Sequence, residues 1–154
     1  MPNIDDLIEK YPKIFREHKL PMTQTAMCWG LAVGPGWRDI IDNACSAIQW
    51  HIDHERKDRA SILRKKRKGE KLHKWEEDFL LKPVCRQFVA TQVKEKFGTL
   101  RFYFNNGDEY CDGVISMAEH MSAVTCEQCG SPGKVGGQGW ITTLCEPCRN
   151  AKGK

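Results

Sequence analysis

The apolar residues of this chain recur with two periods. Ile4, Leu7, Ile8 and Tyr11 stand at i, i+3, i+4 and i+7, one face of a helix. Asn3 suits an N-cap, Asp5 and Asp6 suit the positive end of the helix dipole, and Pro12 stops the segment. Residues 26–33 form a short apolar run that reads as extended, and Gly34-Pro35-Gly36 then requires a turn. A second helix begins near Trp37, with Ile41, Ala44, Cys45, Ile48 and Ile52 on its buried stripe. Over residues 53–71 that stripe nearly vanishes, leaving Ile62 and Leu63. The segment reads either as a helix projecting into solvent and ending near Gly69, or as partly disordered chain. Leu72, Trp75, Phe79 and Leu80 then resume helical spacing until Pro83.

The period changes to two over residues 93–104. Leu100, Phe102 and Phe104 alternate with Arg101 and Tyr103, which predicts a β-hairpin with one buried face and a turn at Phe97-Gly98-Thr99. Asn105-Asn106-Gly107 closes it. Val114, Met117, Ala118 and Met121 predict one more helix. The expected fold class is α+β, with helices around a small hairpin.

Composition narrows the function classes. The chain has 154 residues, 40% hydrophobic and 29% charged, enough for one domain with a small appended module. No run approaches the ~18 apolar residues of a membrane span, and no basic-then-apolar leader opens the sequence. A cytoplasmic protein with no membrane partner is the expectation. The net charge of +4 conceals a strong asymmetry. Residues 1–55 hold 5 Lys/Arg against 8 Asp/Glu, residues 56–74 hold 10 against 2, and residues 75–154 hold 9 against 10.

The eight cysteines are equally uneven. Cys28, Cys45, Cys85 and Cys111 are scattered and read as mostly buried thiols that bind no metal. Cys126, Cys129, Cys145 and Cys148 form C-x2-C-x15-C-x2-C, a structural zinc spacing. Two residues between thiolates let both reach one ion from a tight knuckle, and Zn²⁺ takes four such ligands tetrahedrally. Gly130 can supply the positive φ of the knuckle, and Pro147 suits the first turn of a terminal helix. Knuckle, hairpin and helix in that order predict a treble-clef-like module over residues 125–154, after an α+β domain over residues 1–124. One structural Zn²⁺ is expected, with no open position for a catalytic water.

Three resemblances follow. Leu144-Cys145-Glu146-Pro147-Cys148-Arg149-Asn150-Ala151-Lys152 is similar to the ending of HNH nucleases, but Arg149 stands where their His belongs. No Asp-His pair lies between the two Cys pairs; the pair at Asp53-His54 is on a helix far upstream. Phe97-Gly98, Leu100 and Phe102 resemble part of the RNA-recognition motif, with Thr99 and Glu95 departing from it. Over more of the chain, Met27-Cys28-Trp29-Gly30, Gly36-Trp37, the stretch Lys94-Glu95-Lys96-Phe97-Gly98-Thr99-Leu100-Arg101-Phe102-Tyr103 and the Cys-x-x-Cys-Gly module resemble a family of small uncharacterised phage and prophage proteins. That resemblance implies a phage origin and a bacterial host cytoplasm, and brings no catalytic residue.

Other candidate chemistry is thin. Gly34-Pro35-Gly36 lacks the spacing of a phosphate-binding loop and reads as a structural turn. Cys28 as a nucleophile with His18 or His51 as its base has no sequence support, and His51 and His54 read as solvated helical residues. The basic run is the best functional surface. Arg56, Arg59, Arg64, Lys65, Lys66, Arg67, Lys68, Lys71 and Lys74 are the candidate polyanion-binding residues, with Trp75 beside them for base stacking. The expected function is a non-enzymatic, zinc-binding accessory protein that binds nucleic acid. The alternatives are a regulator that binds an acidic host protein, or a nuclease-like enzyme.

Overall fold

The computed structural model describes residues 3–152, so the outer two residues of each expected domain lie outside it. The described residues form α1 (Asp6–Lys10), β1 (Leu31–Ala32), α2 (Arg38–Arg67), α3 (Lys74–Leu81), β2 (Arg86–Lys96), β3 (Thr99–Gly107), α4 (Glu109–Ser122), β4 (Lys134–Gly136), β5 (Thr142–Leu144) and α5 (Glu146–Lys152). The fold is thus mixed helix and sheet, as expected. Among the described residues, no helix is long and apolar enough to cross a membrane.

Strands β1, β2 and β3 form one sheet in that order, β1 parallel and β3 antiparallel to β2. The hairpin turns at Phe97 and Gly98, both at positive φ, the two-residue geometry that matches strand twist. It extends further upstream than its period-two stretch, because β2 is buried on both faces around Phe88, Val89 and Ala90 and so shows no alternation there. On β3 the expected register holds. Leu100 and Phe102 are buried, Phe104 packs against the core, and Tyr103 is exposed. Phe102 lies between Phe15 and Phe88, with ring centroids 6.2 and 5.7 Å away.

Helix α2 covers this core with the stripe read from sequence. Ile41, Ala44, Cys45, Ile48 and Ile52 are buried together with Trp37. The helix then continues without a break as far as Arg67, two residues short of Gly69. Its far half does not project freely, because α3 folds back along it. Ile62 is buried there. Lys65 Nζ lies 2.6 Å from Oε1 of Glu76, whose other oxygen accepts the His73 N–H at 2.8 Å. Arg59 donates to the carbonyls of Leu80 and Lys82 and sits over the Phe79 ring. Trp75, expected on the apolar stripe of α3, is exposed instead; the inward position belongs to Glu76, which Lys65 neutralises.

One other expectation is corrected. Residues 26–33 are not one extended run: they contain a 3₁₀ turn, Met27–Trp29, followed by a two-residue strand. The Thr25 hydroxyl accepts the Met27 N–H at 3.1 Å, and this local bond competes with extension. On α4 the buried face is Cys111, Ile115, Ala118 and Ser122, while Met117 and Met121 are exposed. The cause is the free edge of β3. Ser122 Oγ accepts the Leu100 N–H at 2.8 Å and Glu119 Oε1 accepts the Phe102 N–H at 3.0 Å. Unpaired edge amides buried under a helix need such acceptors, and aiming them at β3 turns both methionines outward.

Phe102→Ala is expected to destabilise the protein by about 3–5 kcal/mol through loss of a buried ring. Tyr103→Ala should cost about 1 kcal/mol or less, since only an exposed cation–π contact with Lys94 is lost. Urea unfolding of the two variants checks the strand register.

Candidate metal centre

The four C-terminal cysteines come together as their spacing predicts. In the knuckle, Gly130 takes φ +76° and its N–H donates to the Cys126 carbonyl at 2.9 Å. The Cys126 N–H donates to Ser131 O at 2.7 Å. The chain then runs through the β4–β5 hairpin, where Lys134 pairs with Leu144 and Gly136 with Thr142. Cys145 follows β5 directly and Cys148 lies in the first turn of α5. Arg149 fastens α5 to the hairpin, donating to Lys134 O at 2.6 Å and to Thr142 O at 3.4 Å.

The four Sγ atoms lie within 4.8 Å of one another, Cys129 and Cys145 at 3.6 Å. The environment favours thiolate at the knuckle. Hydrogen bonding from Ser131 is the largest influence on Cys129 and lowers its pKa to about 6. Burial pushes the Cys126 thiol up, but bonds from the backbone of Cys145, Cys129 and Gln128 outweigh it, and the net direction is down. The neighbouring sulfurs, Cys145 first, push Cys148 up to about 12. Four thiols this close cannot all ionise without a cation between them. A tetrahedral ion of the soft or borderline class fits this donor set.

The knuckle is seated on the body of the protein. Gly36 N–H donates to the Glu127 carbonyl at 2.7 Å, and Gly34 N–H donates to the Glu127 carboxylate at 2.9 Å. The Trp37 indole donates to Thr125 O at 2.8 Å, and the Thr143 hydroxyl donates to the Gly98 carbonyl in the hairpin turn. The Gly34-Pro35-Gly36 turn is therefore a docking surface for the module. A Cβ on Gly36 would collide with the Cys126 carbonyl and sit 2.6 Å from Gly130 N. Glu127 gives no signal in the sequence beyond its place between Cys126 and Cys129.

The cationic residues divide into two sets. Arg59 and Lys65 point into the α2–α3 interface and hold it together. Arg56, Arg64, Lys66, Arg67, Lys68, Lys71 and Lys74 are exposed. Lys74 pairs with Asp78 at 3.0 Å. Trp50 and His54 stack on the same helix at 4.6 Å. Trp50, His54, Lys57, Ser61, Arg64 and Lys68 follow i+3/i+4 steps and are all exposed.

The remaining candidates settle individually. Cys28 donates to Thr25 O at 3.3 Å and His18 Nδ1 lies 3.3 Å from Met27 O, so the two are engaged separately. His51 is not a solvated residue. Its Nε2 lies 2.7 Å from Asp108 Oδ2 and its ring stacks on Tyr110 at 4.3 Å. Cys45 is a plain buried thiol, its pKa pushed up by burial. Cys85 is not isolated. It joins His51, Glu55 and Asp108 in a second group of donors, one atom from each within 4.8 Å of the others.

Gly36→Ala is expected to cost about 1–3 kcal/mol, as overpacking at a rigid contact does. Thermal melting followed by near-ultraviolet circular dichroism, which reports the Trp37 environment, checks it.

No protein-family model matches the chain, and comparison with curated proteins and with solved structures finds no match either.

Proposed function

We propose that the protein is a non-enzymatic zinc-binding accessory protein that binds nucleic acid along the outer face of α2. The observation that carries this reading is the exposed stripe running along α2 from the stacked Trp50–His54 pair through Lys57 and Arg64 to Lys68 at its C-cap. Cations at helical spacing neutralise successive phosphates, and an exposed indole at the end of the row offers a face for a base. Folding alone does not require so many like charges over residues 56–68, where Arg59 and Lys65 are the cations aimed into the α2–α3 interface.

In the same reading the four-cysteine centre holds one structural Zn²⁺ in a treble clef. The order of knuckle, β4–β5 hairpin and α5 supports it, and four thiolates leave no position for a catalytic water. A phage-related origin and a bacterial host cytoplasm go with this reading through the resemblance of the hairpin and zinc-knuckle sequences. A second reading, a regulator that binds a host protein, is favoured by the apolar groove of about 500 Å³ between α2 and α4, lined by Ile40, Val114, Met117 and Met121.

The nucleic-acid reading predicts binding of a labelled oligonucleotide, read by fluorescence anisotropy. Affinity should fall roughly 10³-fold between about 50 and 200 mM salt if about six phosphates are contacted. Reversing Arg64, Lys66, Arg67 and Lys68 to Glu should abolish binding and leave the melting temperature nearly unchanged, since Lys65 and Arg59 are kept. A shallow salt slope, or binding that survives the reversal, favours the protein partner.

For the zinc centre, Cys145→Ser should lose one equivalent of zinc by elemental analysis and unfold the C-terminal module. Structural zinc contributes roughly 10–16 kcal/mol in finger peptides. Retention of the module's native structure without metal would defeat the structural role.

A further inference from the structure

We propose that His51, Glu55, Cys85 and Asp108 form a second metal site, separate from the four-cysteine centre, for a divalent transition ion of the zinc class. His51 and Glu55 are four residues apart on α2 and share a face. That face meets Cys85, the residue before β2, and Asp108, the N-cap of α4. One imidazole nitrogen, one thiol sulfur and two carboxylate oxygens lie within 4.8 Å of one another. Ligand bonds of about 2.0–2.3 Å place tetrahedral donors about 3.3–3.8 Å apart, so small rotamer adjustments close the set.

The surroundings are those of a built site. The Glu55 carboxylate is fixed by the Cys85 N–H, 3.2 Å from Oε2, and by Arg59, 3.2 Å from Oε1. Asp108 accepts the Cys111 N–H on Oδ1 at 3.2 Å, which leaves Oδ2 facing His51. Tyr110 stacks on the His51 ring and sets its plane. Such outer partners orient metal ligands. The charges also balance. Two carboxylates and one thiolate exceed a dication by one negative charge, and the guanidinium of Arg59 offsets it.

Donor type narrows the ion. The thiolate disfavours Mg²⁺ and Ca²⁺, and two carboxylates disfavour Cu(I). Nitrogen, sulfur and oxygen together are the three ligand classes of Zn²⁺. The site is open on one side: Cys85 is 3% exposed, while the His51 and Asp108 side chains are 26% and 37% exposed, so an ion reaches it from solvent. On binding, the Cys85 thiol proton leaves to solvent and the His51–Asp108 hydrogen bond is replaced by coordination. The ion then ties α2 to the start of β2 and to α4.

The test is metal stoichiometry. Full-length protein is incubated with excess ZnCl₂, desalted and analysed for zinc and protein. Wild type should hold about two equivalents. Cys85→Ser and Asp108→Asn should each hold about one, with unchanged circular dichroism. Asn is as good an N-cap as Asp, so the second variant removes an anionic ligand without releasing α4. One equivalent in wild type that persists in both variants belongs to the four-cysteine centre and overturns the proposal, as do two equivalents that persist in both. One equivalent lost in Asp108→Asn and kept in Cys145→Ser supports the mixed site and refutes the four-cysteine centre instead.

Discussion

Helix α2 spans about 45 Å at 1.5 Å per residue, but only its first half carries a continuous apolar face. Residues 38–52 face the core and hold six of the helix's seven buried residues. Beyond Ile52 only Ile62 is buried on the helix. Helical turns without an apolar face to pack are marginal in water, so the far half depends on α3. Arg59 and Lys65 provide that support by directing their charge at backbone carbonyls, Glu55 and Glu76. The remaining cations are then displayed in fixed positions on a helix that other residues hold. Packing contacts and exposed charge are thus divided between two faces of one element.

The four-cysteine module depends on the same helix at its other end. Trp37, fully buried at the start of α2, donates its indole N–H to Thr125, and Gly34 and Gly36 let the knuckle backbone approach more closely than any side chain would permit. Glu127 sits between Cys126 and Cys129 and accepts from both glycine amides. Burial is the main reason its carboxyl lies above the ordinary glutamate range. The knuckle is thereby tied directly to the turn that starts α2. The module also reaches the tip of the β2–β3 hairpin through Thr143 and Gly98.

The free edge of β3 has a parallel influence on α4. Ser122 and Glu119 must face Leu100 and Phe102 to satisfy the edge amides, and this fixes the rotation of the helix. Met117 and Met121 become the lip of an apolar groove, and Asp108 caps the helix beside His51. One requirement, that buried amides find acceptors, therefore shapes the groove and brings the mixed donor cluster together.

Features that depend on neighbours in the chain are legible in the sequence. The stripe from Ile41 to Ile52, the alternation at Leu100 and Phe102, the turn at Phe97-Gly98 and the C-x2-C pairs each rest on local periodicity or on spacing, and local geometry enforces them. The features that need the fold are those whose partners lie far apart in sequence. Nothing near Lys65 announces Glu76 as its buried counter-ion, and nothing on α4 announces that β3 will demand Ser122 rather than Met121. His51 reads as a solvated helical residue because Asp108 and Cys85 reach it only after the sheet has formed between them. The order of residues determines which side chains share a helix face or a strand face. Only tertiary packing decides which charges are neutralised, which amides need acceptors and which donors from separate elements converge on one point.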